Sequence, residues 1–425
     1  MTSNPAAPVF VWVWLPGSVE PVVAGRLDRA GDVSTFTYGR SYLSRPSAIP
    51  LYLPELPLRR GPTRPLVGRV AGCIEDAAPD SWGMRVILHR RSGGRTDDAD
   101  VDDLDLFTYL LESGSDRIGA LDFQVSSTLY APRETEGTLD DLIRAAEMVE
   151  AGEPLPEDLD QALVHGSSVG GARPKALLRD GGRTLIAKFS STTDTYPIVR
   201  GEFLAMHLAE LAGLSVAKVE LVEALSRDVL LIERFDRPPS GGRRSMVSGL
   251  TILGLDEWGG LHASYADLAE VIRTRFTHPD ATRRELFARI TFNILVGNND
   301  DHARNHAAFW DGRRLTLTPA YDITPMLRAG RTAEQVMAIG EDGWKRSQLG
   351  GCVERASTYH LSAAEAHEII DHQIETIARH WNDACDLARL TRAEREAFWR
   401  RQFLNSFAFD DYGSPAALPF EYGAD

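Results

Sequence analysis

The segment Gly297–Asn305, GNNDDHARN, constrains the fold more than any other part of this chain. Two aspartates, a histidine, an arginine and three asparagines in nine positions cannot form a core element or a regular strand. The residues before it, RRELFARITFNILVG, put Leu286, Phe287, Ile290 and Ile294 on one helical face and stop at Gly297. Those after it, HAAFWDGRRLTLT, alternate about Asp311-Gly312, a dipeptide that favours a two-residue hairpin turn. The order is therefore buried helix, polar loop, hairpin. Such a hairpin returns the chain near Thr318 to the place where Asn305 left it, with Asp322 of TPAYDITP just beyond. Asp300, Asn305 and Asp322 are expected at one mouth. Two carboxylates and an amide oxygen there would suit a hard cation such as Mg²⁺ bridging phosphates.

A second hairpin brings together another set. In SSVGGARPKALLRDGGRTLIAKF, a glycine-rich loop precedes a strand, a turn at Asp180-Gly181-Gly182 and a second strand. Folding about Gly181 places Lys188 opposite Pro174-Lys175, beside Gly170 and Gly171. Backbone N–H groups in such a loop can cradle phosphate oxygens, since glycine lets an anion approach. Only four lysines occur, Lys175, Lys188, Lys218 and Lys345, against a chain that otherwise uses arginine. Lys188 stands in an apolar strand and needs an acidic partner; Glu202, on the helix GEFLAMHLAELAGL, is the nearest in chain order. VAKVELVEALSRDVLLIERFDR reads as two strands about Ser226-Arg227-Asp228.

The 425 residues are enough for two or three cores. Lysine and arginine number 46 against 61 acidic residues, a net charge of −15, which argues against a broad basic nucleic-acid surface. Three scattered cysteines form no CxxC pair and suit a reducing compartment. The apolar run Val9 to Leu15 is too short to span a bilayer and lacks a basic flank, so it reads as a first strand of a soluble, cytoplasmic protein. Three parts are expected: a β-rich N-terminal subdomain at 1–128, a hairpin-rich part at 129–236, and a mostly helical part at 237–425. In the first, PDSWGMRVILHRR reads as a helix opened by Pro79-Asp80-Ser81, and the aromatics of FVWVW as core.

Each signal has a plainer reading. Lys188 could end a strand by snorkelling, and Asp322 could begin a turn. His302 and His306, four apart beside Asp300 and Asp301, resemble metal-ligand spacing and keep a metal-dependent hydrolase open. HEIIDH at 367–372 misses the HExxH spacing by one residue and reads as helix surface. A nucleotide-binding regulatory module without catalysis is the other alternative.

The joint order is less ambiguous. Glycine-rich loop, strand lysine, helix glutamate, two strands, helix, Asp-x-x-x-x-Asn, hairpin and Asp is the order of parts in protein kinases. More specifically, SSVGGARPKALL, LIAKF, LLIERFDR, NILVGNNDDHARNHA and LTPAYDITP resemble the HipA-type toxin serine/threonine kinases, and FTYGRSYL, AAPDSWGMRV and SGSDRIGALDF resemble the family's extra N-terminal subdomain. The resemblance implies an α+β, bilobal protein-kinase-like fold that binds ATP and Mg²⁺ between its lobes. It makes Asp300 the catalytic aspartate, Asn305 and Asp322 the metal ligands, and Lys188 the phosphate-binding lysine. It assigns Gly170, Gly171, Ala172, Arg173, Pro174 and Lys175 to the phosphate loop and Glu233, Arg234 and Phe235 to the adenine-side hinge. His302, Ala303, Arg304 and Tyr321 match positions that line the nucleotide, and Ser168, with Ser167 as fallback, the autophosphorylated serine. Arg173 departs from the family's glutamine, and the position of Asp301, where glycine is tolerated, is implied to be peripheral. Members arrest growth by phosphorylating translation proteins such as aminoacyl-tRNA synthetases. Many are restrained by a small HipB-like helix-turn-helix antitoxin, through which alone they meet DNA.

Overall fold

The computed structural model describes residues 7–93, 100–101, 104–134, 137–166, 173–191, 194–327, 330, 332–410 and 412. The chain forms two compact units. The first takes Met1–Thr192, Val222–Val247 and Phe309–Arg313; the second takes Thr193–Leu221, Ser248–Ala308 and Arg314–Asp425. Residues 1–128 and most of 129–236 thus fall together in the first unit.

The first unit begins with an antiparallel sheet of β1 (Val9–Val13), β2 (Val22–Ala30), β3 (Val33–Tyr38), β4 (Pro62–Thr63) and β5 (Leu121–Gln124), in the order β4-β3-β2-β1-β5. Trp12 and Trp14 are core, as their sequence suggests; each satisfies its indole N–H on a backbone carbonyl, Ser126 at 3.0 Å and Val19 at 3.2 Å. The helix Ser81–Ser92 starts where expected because the Asp80 carboxylate accepts the Gly83 N–H at 3.0 Å. Its Trp82 and Val86 share one core with Leu142, Ile143 and Val149 of the helix Leu139–Ala151. That core also takes Ala176, Leu185, Ala187, Phe189, Val229 and Leu231 from a second sheet.

The second sheet contains β6 (Lys175–Asp180), β7 (Arg183–Phe189), β8 (Val219–Ala224) and β9 (Arg227–Glu233), in the order β6-β7-β9-β8. β6 and β7 pair from Lys175↔Lys188 to Asp180↔Arg183, with φ of 54° and 83° at Gly181 and Gly182. Positive φ at both central residues is what a tight, correctly twisted hairpin needs. The next hairpin turns slightly earlier than its sequence suggests, on Leu225 and Ser226, whose φ values are 49° and 58°. The two-residue turn geometry overrides the absence of glycine there.

In the second unit the helix Pro279–Val296 is not one-faced: from Leu286 onward nearly every residue is buried. The polar ones are satisfied rather than exposed. Arg289 donates to Glu285 at 2.9 Å and to the Thr318 carbonyl at 2.8 Å, and Thr291 to Gln373 at 2.9 Å. A helix with such internal partners needs no solvent face. β10 (Met246–Ser248), β11 (Ala307–Trp310) and β12 (Leu315–Leu317) make a three-stranded sheet in the order β10-β11-β12. Its Asp311-Gly312 turn is the one the sequence suggests, with Gly312 at φ 98°. Among the described residues no helix is long and apolar enough to cross a membrane.

Candidate functional site

The polar loop begins where Gly297, in the left-handed region at φ 73°, closes the helix. A Cβ at Gly297 would stand 2.8 Å from the Gln402 carbonyl oxygen, so both conformation and space require glycine. Asn298 turns inward and donates to the Asn293 side chain at 3.0 Å and toward the Asp322 carbonyl at 3.5 Å. The two aspartates then part company. Asp300 is exposed, whereas Asp301 is 3% exposed. Asp301 Oδ2 accepts from the Tyr265 hydroxyl at 2.5 Å, from Asn293 Nδ2 at 2.8 Å, and lies 2.9 Å from His306 Nε2. Asp301, implied to be peripheral to the chemistry, is therefore not peripheral to the packing. It is the buried anchor of the loop, tied to two helices and to the residue that precedes β11.

With Asp301 fixed, its neighbours are presented outward. A 3-10 turn at Ala303–Asn305 follows, closed by the Asn305 N–H on the His302 carbonyl at 2.9 Å. Asn305 Nδ2 points back toward the Asp300 carbonyl at 3.5 Å. The hairpin delivers its end as its sequence suggests: the Thr318 N–H meets the Ala307 carbonyl at 3.0 Å, and the Tyr321 hydroxyl donates to the Arg304 carbonyl at 2.7 Å. Asp322 holds φ 61°, a conformation that aspartate tolerates better than most residues. Asp300, His302, Ala303, Arg304, Asn305, Tyr321 and Asp322 thus come together in one unit.

The electrostatics separate the two carboxylates further. Although Asp300 is exposed, partial desolvation by its surroundings raises its carboxyl; His302 opposes the shift, and the charges of Asp322 and Asp301 add to it. Burial also pushes Asp301 up, but His306, together with hydrogen bonds from His306 and Tyr265, brings it below the usual carboxylate range. Asp300 and Asp322 repel through a shared field, which a divalent cation would relieve, and Asn305 supplies a neutral oxygen beside them. These donors fit Mg²⁺. His302 Nδ1 is buried with no hydrogen-bond partner among the described residues, which leaves it a polar atom for a ligand.

The hydrolase reading fails on geometry. His306 lies in extended backbone and engages Asp301, while His302 is itself extended, so the two do not share a helical face. No group of three or more His, Cys, Asp or Glu placed to hold a metal occurs among the described residues.

In the first unit, Ser167, Ser168, Gly170, Gly171 and Ala172 lie outside the described residues. Arg173 is half-buried and Pro174 buried; Lys175 is buried, with Nζ 3.3 Å from Asp80. Lys175 thus turns into the unit, while Lys188, its cross-strand neighbour, is half-buried. Glu202 is buried on the helix Ile198–Leu211 of the second unit. In the hinge motif, Glu233 and Phe235 are half-buried, but Arg234 is not presented to solvent: its guanidinium binds Asp116 at 3.1 Å and Asp236 at 2.7 Å. The resemblance assigned Arg234 to the nucleotide, and nothing in its residue type signalled this inward partner. Asp116, Asp236, Tyr265 and Asn293 were likewise missed; the alternation within ERFDR was the available hint.

Comparisons with known proteins bear on the family and the fold. The family of HipA-like C-terminal domains matches residues 167–381, and that of HipA N-terminal domains matches residues 13–124. The serine/threonine-protein kinase toxin HipA of Shewanella oneidensis is 27% identical over 183 residues, 37% of this chain and 42% of that protein, so the match spans less than half of that relative. Y4mE of Sinorhizobium fredii is 26% identical over 431 residues, covering 88% of this chain and 92% of its own. Among solved structures, the Shewanella oneidensis complex of HipA, HipB and operator DNA matches with a TM-score of 0.68 at 19% identity, over 91% of this chain and 93% of that one. That likeness concerns the fold. With both family domains matched in order, the chain belongs to the HipA family of toxin kinases and has its α+β, kinase-like fold.

Proposed function

We propose that the chain is an ATP- and Mg²⁺-dependent serine/threonine protein kinase that arrests growth by phosphorylating a translation protein, such as an aminoacyl-tRNA synthetase. One observation carries the reading: Asp301 is buried as an anchor while Asp300, next to it, is turned out beside Asn305 and Asp322. Mg²⁺-ATP, when bound, supplies the phosphoryl group. Asp300 orients the acceptor hydroxyl and takes its proton as the hydroxyl oxygen bonds to the γ-phosphorus and the bond from that phosphorus to the departing ADP breaks. Asn305 and Asp322 would hold the cation, with His302, Ala303, Arg304 and Tyr321 along the nucleotide. A HipB-like helix-turn-helix antitoxin is the proposed restraining partner. The test is phosphoproteomics after brief induction. Intact chain should yield a new phosphoserine or phosphothreonine on a translation protein, and an Asp300 variant should not; identical phosphoproteomes would end the proposal.

Lys188 is proposed to serve the nucleotide phosphates as a point charge. Lys188→Ala should keep the fold, because the side chain is only half-buried, and should weaken Mg-ATP binding at least about tenfold. Lys188→Arg should fail as well, since a planar guanidinium does not replace a compact ammonium. Calorimetry returning unaltered affinity in both variants would remove Lys188 from the site.

Ser168 is proposed as the site of self-inactivation. A phosphate there adds about two negative charges at neutral pH beside those of ATP. Peptide mapping after incubation with Mg-ATP should locate phosphate at Ser168, with Ser167 as the alternative, together with loss of activity. Modification elsewhere in a fully active protein would refute it.

A further inference from the structure

The segment from Glu233 to Met246, which leaves the second sheet at the end of β9, is gripped on its polar side by residues that precede position 120, besides contacts of Phe235 and Arg244 with Phe309. Arg234 donates to Asp116 at 3.1 Å and to the Arg117 carbonyl at 2.6 Å, besides its pair with Asp236. Asp236 Oδ2 accepts the Gly119 N–H at 2.7 Å, and Arg237 binds Asp116 at 2.7 Å and the Gly119 carbonyl at 3.0 Å. Further along, the Arg243 guanidinium lies 3.6 Å from the Trp14 ring centroid and donates to the Ser115 carbonyl at 2.6 Å. Gly242 passes so close that a Cβ would meet the Ser18 carbonyl oxygen at 2.3 Å. The loop that does the gripping is itself fastened to β5, because Arg117 and Arg133 both bind Asp122 at 3.0 Å.

Two carboxylates, Asp116 and Asp236, balance two guanidiniums, Arg234 and Arg237. Removing one member would leave a buried charge among the others without its partner, which loosens the hold on the segment. Along the chain, Arg234 and Asp236 are buried while Glu233 and Phe235 are half-buried. Glu233 ends β9, and residues 234–237 form a turn in which the Arg237 N–H reaches the Arg234 carbonyl at 3.4 Å, so holding Arg234, Asp236 and Arg237 fixes the backbone that carries Glu233 and Phe235.

We propose that this clamp sets nucleotide affinity. The Ser115–Gly119 loop fixes the hinge backbone at Glu233–Phe235 in the form that receives the adenine side of ATP. Asp116 is then a positioning residue for a nucleotide that it does not touch. The inference rests on the kinase reading above, and it gives the N-terminal β-rich part a role in the phosphoryl-transfer reaction.

The test uses the full chain with Mg-ATP as probe. Calorimetry gives Kd, ATP hydrolysis at saturating Mg-ATP gives turnover, and thermal unfolding reports the fold. Asp116→Asn should raise Kd about tenfold, and Arg243→Met, a milder change at a half-buried position, about threefold. Turnover at saturation should stay within about twofold in both. Asp116→Glu, which keeps the charge, should bind more tightly than Asp116→Asn. If Asp116→Asn does not fold, Arg243→Met decides. Unchanged Kd in the folded variants, or lost turnover at unchanged Kd, overturns the clamp alone. Failure of the unaltered chain to bind Mg-ATP overturns the kinase reading and the clamp with it.

Discussion

Asp300→Asn is expected to slow single-turnover phosphoryl transfer by about 10²- to 10⁴-fold while Mg-ATP still binds. The amide keeps the shape of the carboxylate but cannot take a proton from the acceptor hydroxyl. Because Asp300 is exposed and contributes little to packing, the thermal midpoint should not fall. Relieving its repulsion with Asp322 should even let the variant fold slightly more readily. The decisive pair of measurements is rapid-quench transfer with pre-bound Mg-ATP and calorimetric binding. Transfer within about tenfold of the unaltered chain would remove Asp300 from the catalytic role.

Asp301→Asn makes the same chemical change one residue along, and the opposite outcome is expected. Tyr265, Asn293 and His306 all converge on one carboxylate oxygen, and an amide at that position loses the charge and presents its own donors to them. The loss should be about 3 kcal/mol, on the scale of buried charge-assisted hydrogen bonds, with a thermal midpoint lower by about 5–10 °C. Activity should fall through loss of the ordered loop, and recover in part on cooling. A chain with Asp301→Asn that melts at the original temperature would contradict the anchor role. The pH dependence has a definite sign. The folded carboxyl titrates below its unfolded value, so its stabilisation is complete above about pH 4 and is lost as acid drives it through the lower, folded value.

The adjacent pair also shows what could be read from sequence. The five-residue step from Asp300 to Asn305 carries kinase spacing, and the Asp311-Gly312 turn fixes where Asp322 must arrive, because both are local properties of a short chain segment. The depth of the neighbouring aspartate is not local. Asp301 is buried because Tyr265 and Asn293 come from two helices packed behind the loop, and no spacing within GNNDDHARN encodes them. The same holds for the helix Pro279–Val296. Its apolar face is legible, whereas the burial of Arg289, Thr291 and Asn293 depends on partners that stand elsewhere in the chain.

The hinge motif divides in the same way. Its strand and its polar exit follow from residue type and alternation in LLIERFDR. The inward turn of Arg234 does not, since its partners stand more than a hundred positions earlier in chain order. By itself, then, the sequence determined the order of elements, both tight hairpins, the gathering of Asp300, Asn305 and Asp322, and the family. Backbone preferences and turn chemistry act over a few residues and are written in consecutive letters. The tertiary structure alone decided which charges are buried. Asp301, Arg234, Asp236 and Lys175 face inward because distant groups complete their hydrogen bonds, and a charge can leave water only where such partners are already assembled.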